Sequence, residues 1–215
     1  MPEAQNICLA LTGASGQIYG LRLLECLLAA GCRVQLIYSA AARIVALQEM
    51  NLELPEAPDE ARAALLARYP GLPGALTVHA RMDWFAPVAS GSSAPDAVVV
   101  CPCSMGTLAA IAQGLAENLI ERAADVALKE GKKLILVPRE TPFSAIHLEN
   151  MLRLSRAGAT LLPPNPGFYH HPQRVGDLVD FVVARLLDQL DVPHALMGRW
   201  GGQKAEDRGQ RTEDG

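Results

Sequence analysis

Small hydroxyl and glycine residues follow two apolar runs in the middle of this 215-residue chain. Ala97-Val-Val-Val-Cys101 leads into Pro102-Cys-Ser-Met-Gly-Thr107, and Leu134-Ile-Leu-Val137 leads into Pro138-Arg-Glu-Thr-Pro142. Each run has the length and composition of a buried strand. The residues after it therefore fall at the carboxyl end of a parallel strand, where open α/β sheets bind ligands. The first segment supplies Ser104, Met105, Gly106 and Thr107; the second adds a cation, Arg139, and an acid, Glu140. Two strand ends that deliver such groups to one crevice describe an enzyme site.

A third segment, Leu11-Thr-Gly-Ala-Ser-Gly16, joins an apolar run to a helical pattern. Glycines let backbone amides approach an anion, and a helix amino terminus adds partial positive charge. The spacing, Gly13-x-x-Gly16-x-x-x-Gly20, is not the Gly-x-Gly-x-x-Gly of dinucleotide sites. Ser39 also stands after the second strand, where a ribose-binding acid would lie. Both departures point to a mononucleotide phosphate rather than NAD.

The elements that position these segments alternate. Strands are predicted over residues 5–12, 33–38, 76–79, 97–101, 133–137 and 160–162, and helices over 16–30, 40–50, 117–130, 144–157 and 176–190. Ser39 reads as the N-cap of the second helix. Residues 51–75, with four prolines around a helix-forming stretch at 59–68, read as a surface excursion. The Gly/Ser/Ala-rich loop 82–95 suggests mobility or close ligand approach. The alternation implies an α/β fold: a doubly wound parallel sheet in a three-layer, flavodoxin- or Rossmann-like sandwich. One domain is expected over 1–203, followed by a disordered polar tail over 204–215.

Half of the residues are apolar and the mean hydropathy is +0.14, which allows a substantial core. A net charge of -4 argues against a nucleic-acid or anionic-membrane surface. The first residues lack a signal-peptide pattern, and no uncharged apolar run reaches the ~20 residues of a membrane span. A cytoplasmic protein is the expectation. Five scattered cysteines read as buried free thiols, and Cys101-Pro-Cys103 has no partners at zinc spacing, so no metal site is expected.

On Thr12-Gly-Ala-Ser-Gly16, Cys101 to Thr107, Asn118 to Lys129 and Leu136 to Pro142, the chain resembles the UbiX-type flavin prenyltransferases. The likeness runs over about residues 5–202, and these enzymes belong to the homo-oligomeric flavin-containing flavodoxin-like proteins. The resemblance implies transfer of a dimethylallyl group from dimethylallyl monophosphate to N5 and C6 of reduced FMN, without a metal. It implies that prenylated FMN then serves a UbiD-type decarboxylase, in ubiquinone synthesis among other pathways. It also implies a homo-oligomer, a trimer or a dodecamer. FMN contacts are implied at Gly13, Ala14, Ser15, Ser39, Ser104, Met105, Gly106, Thr107 and Arg139. Allyl phosphate contacts are implied at Tyr169 and Arg185, with Arg122, Lys129 and Glu140 lining the same pocket. Monophosphate against diphosphate preference stays open.

Breaking an allylic carbon–oxygen bond puts extra charge on the leaving oxygen, which fixed donors stabilise. Arg122, Lys129, Arg139 and Arg185 supply positive charge, and Tyr169 is a neutral donor. Trp84 and Trp200 are candidate walls for a carbocation-like allyl group, with ordinary packing as the plain alternative. Glu49 and Glu140 are the candidate proton carriers, with Ser15 relaying at N5. Apolar neighbours of Glu49 are expected to raise its pKa. Glu117, Glu121 and Asp125 read as a solvated helix face, and His170-His171 is given no role. Two other functions share these features: an FMN-dependent cysteine-type decarboxylase, and a flavin carrier without chemistry. Against the decarboxylase, residues 31–75 hold no histidine. Against the carrier, Arg122, Lys129 and Glu140 would be surplus.

Overall fold

The computed structural model describes residues 4–197, so Trp200 and the expected tail lie outside the described residues. Six strands form one sheet: β1 (Asn6–Leu11), β2 (Arg33–Tyr38), β3 (Ala75–His79), β4 (Ala97–Cys103), β5 (Lys133–Pro138) and β6 (Thr160–Leu161). Their order is β3-β2-β1-β4-β5-β6 and every pairing is parallel. Of the two doubly wound orders this is the Rossmann one, with its switch point between β1 and β4.

The helices are α1 (Gln17–Ala29), α2 (Ala40–Met50), α3 (Pro58–Arg68), α4 (Met105–Ala112), α5 (Leu119–Lys129), α6 (Ala145–Arg156) and α7 (Val175–Gln189). Strand side chains alternate between two faces. Ile7, Leu9 and Leu11 of β1 join a core with α1, α2, α3 and α7, whereas Cys8 and Ala10 join a second core with α4, α5 and α6. All seven residues of β4 are buried, the result of a central strand covered on both faces. Leu21, Leu23, Leu24, Leu27 and Leu28 of α1 are each at most 1% exposed. At roughly 1.5–3 kcal/mol per buried leucine, this row anchors the helix whose amino terminus borders the crevice.

The strand boundaries fall close to expectation, and Ser39 caps α2 by accepting from the Ala42 N–H at 3.1 Å. Two features differ. α4 is a separate short helix, absent from the expected element order, because eight residues of helix and a turn at Gly114 fit between Ser104 and Asn118. Residues 82–95 contain two 3-10 turns, Pro87–Ala89 and Gly91–Ser93, and are pinned by the buried Ala86 and Val88 against α5. This β3-to-β4 crossover has no α-helix. One face of β3, with Ala75, Thr77 and His79 at alternate positions, and the first half of β2 therefore border an open groove of about 960 Å³. All five cysteines are free thiols, four of them buried. Among the described residues no helix is long and apolar enough to cross a membrane.

Candidate active site

The exits of β1 and β4 are stitched together by one hydroxyl. Thr12 is 1% exposed; its Oγ1 donates to the Pro102 carbonyl at 2.8 Å and accepts from the Ser104 N–H at 2.8 Å. The Thr12 N–H also donates to the Pro102 carbonyl, at 3.2 Å. The backbone after the stitch is held by Gln17, fully buried, whose Nε2 donates to the carbonyls of Thr12 at 2.7 Å and Ala14 at 3.0 Å. Its Oε1 is buried without a donor among the described residues. Sequence reasoning missed Gln17; the signal available was an amide directly after the second glycine of the turn.

From β5, Arg139 reaches back over β4, its Nε donating to the Ser15 carbonyl at 3.3 Å. From β2, the Ser39 N–H donates to the Leu11 carbonyl at 3.0 Å, which sets the start of α2 beside the β1 turn. There Gly13 is required: a Cβ would stand 2.5 Å from the Ala41 Cβ. On the β4 side Ser104 caps α4, its Oγ accepting from the Thr107 N–H at 3.4 Å and donating to Thr107 Oγ1 at 3.1 Å. Gly106 faces open space, with no atom within 4 Å of where a Cβ would stand. While Met105 is packed in the second core, Gly13, Ala14, Ser15, Ser39, Ser104, Gly106, Thr107 and Arg139 thus follow the strand exits around one switch point. It offers hydroxyls, amides and a guanidinium at three strand exits, and a hydroxyl instead of a ribose-binding acid at Ser39. These features fit a flavin mononucleotide.

Glu49 is the main electrostatic correction. Its carboxylate accepts from the Gly16 N–H at 2.9 Å and the Gln17 N–H at 3.0 Å, capping α1 from the end of α2. Partial burial pushes the carboxyl upward. Hydrogen bonds from the Ser15 hydroxyl and the Gly16 and Gln17 amides, with the Arg139 charge nearby, outweigh that and hold it below the ordinary glutamate value. The expected rise is therefore reversed. The helix amino terminus expected to bind a phosphate already holds Glu49. A ligand anion at this turn is left with the amides of Gly13 to Ser15 and the hydroxyl protons of Ser39 and Thr107.

Arg139 and Glu140 line a cavity of about 240 Å³ with Phe143 and Asn165. It shares Pro163 and Asn165 with a second cavity of about 350 Å³, lined by Phe181 and Arg185. Tyr169 packs edge-on against Phe181, ring centroids 5.7 Å apart. Glu140 and Arg185 therefore line adjoining cavities on the β5–β6 side, and Tyr169 packs on the Phe181 that lines the second.

Arg122 and Lys129 line neither cavity. They sit two turns apart on the outward stripe of α5, whose other face carries Leu119, Ala123, Val126 and Ala127 in the core. Arg122 donates to the Ala89 carbonyl at 3.0 Å and pairs with Asp125 at 2.8 Å. Lys129 pairs with Glu130 and lies against Gly91. Trp84, 44% exposed, belongs to the same crossover. The single ring of cations expected from sequence is, within one chain, two groups. The acids of α5 also separate: Glu121 is 8% exposed and accepts from the Glu117 N–H at 2.8 Å and from Asn118 Nδ2 at 2.6 Å. It completes the N-terminal cap of α5 and is not solvated.

A Flavoprotein family model matches residues 1–187. The chain is 56% identical over 204 residues to the flavin prenyltransferase UbiX of Pseudomonas aeruginosa, covering 94% of this chain and 97% of that protein. It is 46% identical to the enzyme of the same name from Methanocaldococcus jannaschii, covering 91% and 98%. Among solved structures, AnUbiX in complex with FMN and dimethylallyl pyrophosphate superposes with a TM-score of 0.83 at 40% identity, over 94% of this chain and all of that one. A dodecameric FMN-dependent UbiX-like decarboxylase from Escherichia coli O157:H7 gives 0.82 at 42% identity, over 92% and 100%. Cysteine decarboxylases such as TvaF, at 18% identity and a TM-score of 0.51, share the fold alone.

Proposed function

This chain belongs to the UbiX-type flavin prenyltransferases of the Flavoprotein family, and from that premise we propose that it joins a dimethylallyl group to N5 and C6 of reduced FMN held in the β1–β4 crevice. The observation that carries the placement is the convergence of Thr12, Ser104 and Arg139 on one switch point.

Bound FMN supplies the nucleophilic nitrogen and carbon. The chain's residues do the rest. The Ser15 hydroxyl, hydrogen-bonded to Glu49, forms a short relay from the flavin edge to a carboxylate that stays ionised at neutral pH and can accept a proton. Glu140, in the cavity beside Arg139, is the second proton carrier. Tyr169 and Arg185 hold the phosphate on the adjoining side, where donors aimed at the leaving oxygen lower the barrier to carbon–oxygen cleavage.

Arg122, Lys129 and Trp84 join this site from a second copy of the chain. Two facts support that reading: their outward position on α5 and its flanking turn, and the dodecameric assembly of the E. coli relative. Each crevice then receives its remaining cations from a neighbour. The donor is dimethylallyl monophosphate; AnUbiX was solved with the pyrophosphate, so the two are to be compared directly. The product goes to a UbiD-type decarboxylase, with ubiquinone synthesis as the pathway, and the five free thiols suit a reducing cytoplasm.

The test is to incubate the purified protein with reduced FMN and each allyl phosphate and weigh the flavin. A gain of one five-carbon unit is expected, with an equal amount of phosphate released from the monophosphate or of pyrophosphate from the diphosphate. Unmodified FMN returned with both donors rules the function out.

A further inference from the structure

Arg185 is held by a carboxylate that a histidine also engages. Its Nη1 donates to Asp188 Oδ2 at 2.6 Å, one turn further along α7. The other oxygen of that carboxylate, Oδ1, is taken by His194 Nε2 at 3.2 Å, from the segment after α7. The His194 side chain is only 14% exposed, and its Nδ1 is buried with no donor among the described residues. With a carboxylate as its partner, Nε2 carries the proton.

We propose that Asp188 and His194 are positioning residues that aim the Arg185 guanidinium at the phosphate of the allyl donor, an inference that rests on the assignment of Arg185 to that phosphate. An arginine next to a free carboxylate closes into a two-pronged pair that uses two of its N–H edges. Asp188 holds Arg185 through one nitrogen, and His194 takes the other oxygen of the carboxylate and so fixes its orientation. Asp188 is the one hydrogen-bond partner of Arg185 among the described residues, and Arg185 also lines the 350 Å³ cavity. The restraint also limits the rotamers of a side chain that is 54% exposed, before any anion arrives.

The placement is consistent along the helix. Phe181, Arg185 and Asp188 follow one another at i, i+4 and i+7, on one face. Phe181 braces Tyr169 edge-on and stacks on His170 at 5.3 Å. The opposite face, with Val179, Val183 and Leu187, is locked in the core. Tyr169 and Arg185 thus ride on a single rigid rail, and His194 is its lower fastening.

The test is steady-state kinetics with dimethylallyl monophosphate at saturating reduced FMN. His194→Phe keeps a ring of similar size and loses the donor. KM for the allyl phosphate should rise about three- to tenfold, with kcat and FMN affinity unchanged. His194→Gln, which restores an N–H at the same reach, should return KM to within about twofold of the parent. In an Asp188→Ala background, His194→Phe should add nothing. Should His194→Phe not fold, His194→Leu takes its place. Arg185→Met is the reference. If it leaves KM unchanged, Arg185 does not hold the phosphate and the inference falls with that assignment. If it raises KM while His194→Phe does not, or if His194→Phe depresses kcat and FMN affinity together, the positioning role alone is overturned.

Discussion

Arg139 donates from Nε to the carbonyl of Ser15, 124 residues earlier in the chain, and so spans the exits of three adjacent strands. The bond orders the turn that carries Ser15, and the same charge helps keep Glu49 ionised. One guanidinium thereby orders the β1 turn and biases the Glu49 carboxylate beside it.

Arg139→Gln removes both effects. FMN affinity should fall about 10- to 100-fold, the range of one charge-assisted hydrogen bond of roughly 1.5–3 kcal/mol. Quenching of flavin fluorescence on titration measures it, and the melting temperature of the unliganded protein should change little.

Thr12→Val keeps the shape of a buried side chain and deletes its hydroxyl. The Ser104 N–H loses its acceptor inside the core, at a cost of about 1–3 kcal/mol. Urea denaturation should show the loss without a change in slope. FMN affinity should fall as well, since the two halves of the crevice are no longer tied.

Glu49 links stability to pH. Its folded pKa lies below the ordinary value of 4.5, so its stabilising contribution is complete above that value. That contribution fades as pH falls through the lower, folded value. Glu49→Gln should therefore be less stable than the parent at pH 7, and the gap should close below about pH 4.5. A gap independent of pH would contradict the capping role. Prenyl transfer by this variant should slow while FMN stays bound.

Two glycines separate fold from site. A Cβ at Gly20 would stand 2.2 Å from the Cys101 carbonyl oxygen and 2.4 Å from Leu11 Cδ2, where a strand backbone cannot give way. Gly20→Ala should cost about 3 kcal/mol or abolish folding. Gly106→Ala meets nothing. It should leave the melting temperature unchanged or slightly raised, and reduce FMN affinity because the added methyl enters the crevice.

The sheet and most helices were legible because a parallel strand buried on both faces must be apolar throughout, as at Val98 to Val100, and because Ser39 announces its helix. α4 escaped the expected order because its eight residues, rich in alanine, carry too little periodicity to separate them from the turn before Asn118. That the segments after β1, β2, β4 and β5 meet at one switch point was readable, because parallel topology alone brings strand exits together. The sign of the Glu49 shift was not, since its partners Ser15, Gly16 and Arg139 are distant in sequence. Arg122 and Lys129 were placed by family likeness, and one chain does not deliver them to the crevice. Their spacing of seven on α5 was already the mark of a single outward stripe.

That division gives the most direct test of a flavin site built from two copies. Arg139→Gln has a damaged crevice and an intact α5 stripe; Lys129→Ala has the reverse. Each alone should be nearly inactive in forming prenylated FMN. Unfolded together in equal amounts and refolded into mixed oligomers, they should recover about a quarter of parental activity, the share of sites that pair an intact crevice with an intact stripe under random assembly. Mixed oligomers that assemble but remain as inactive as the separate variants would contradict a shared site.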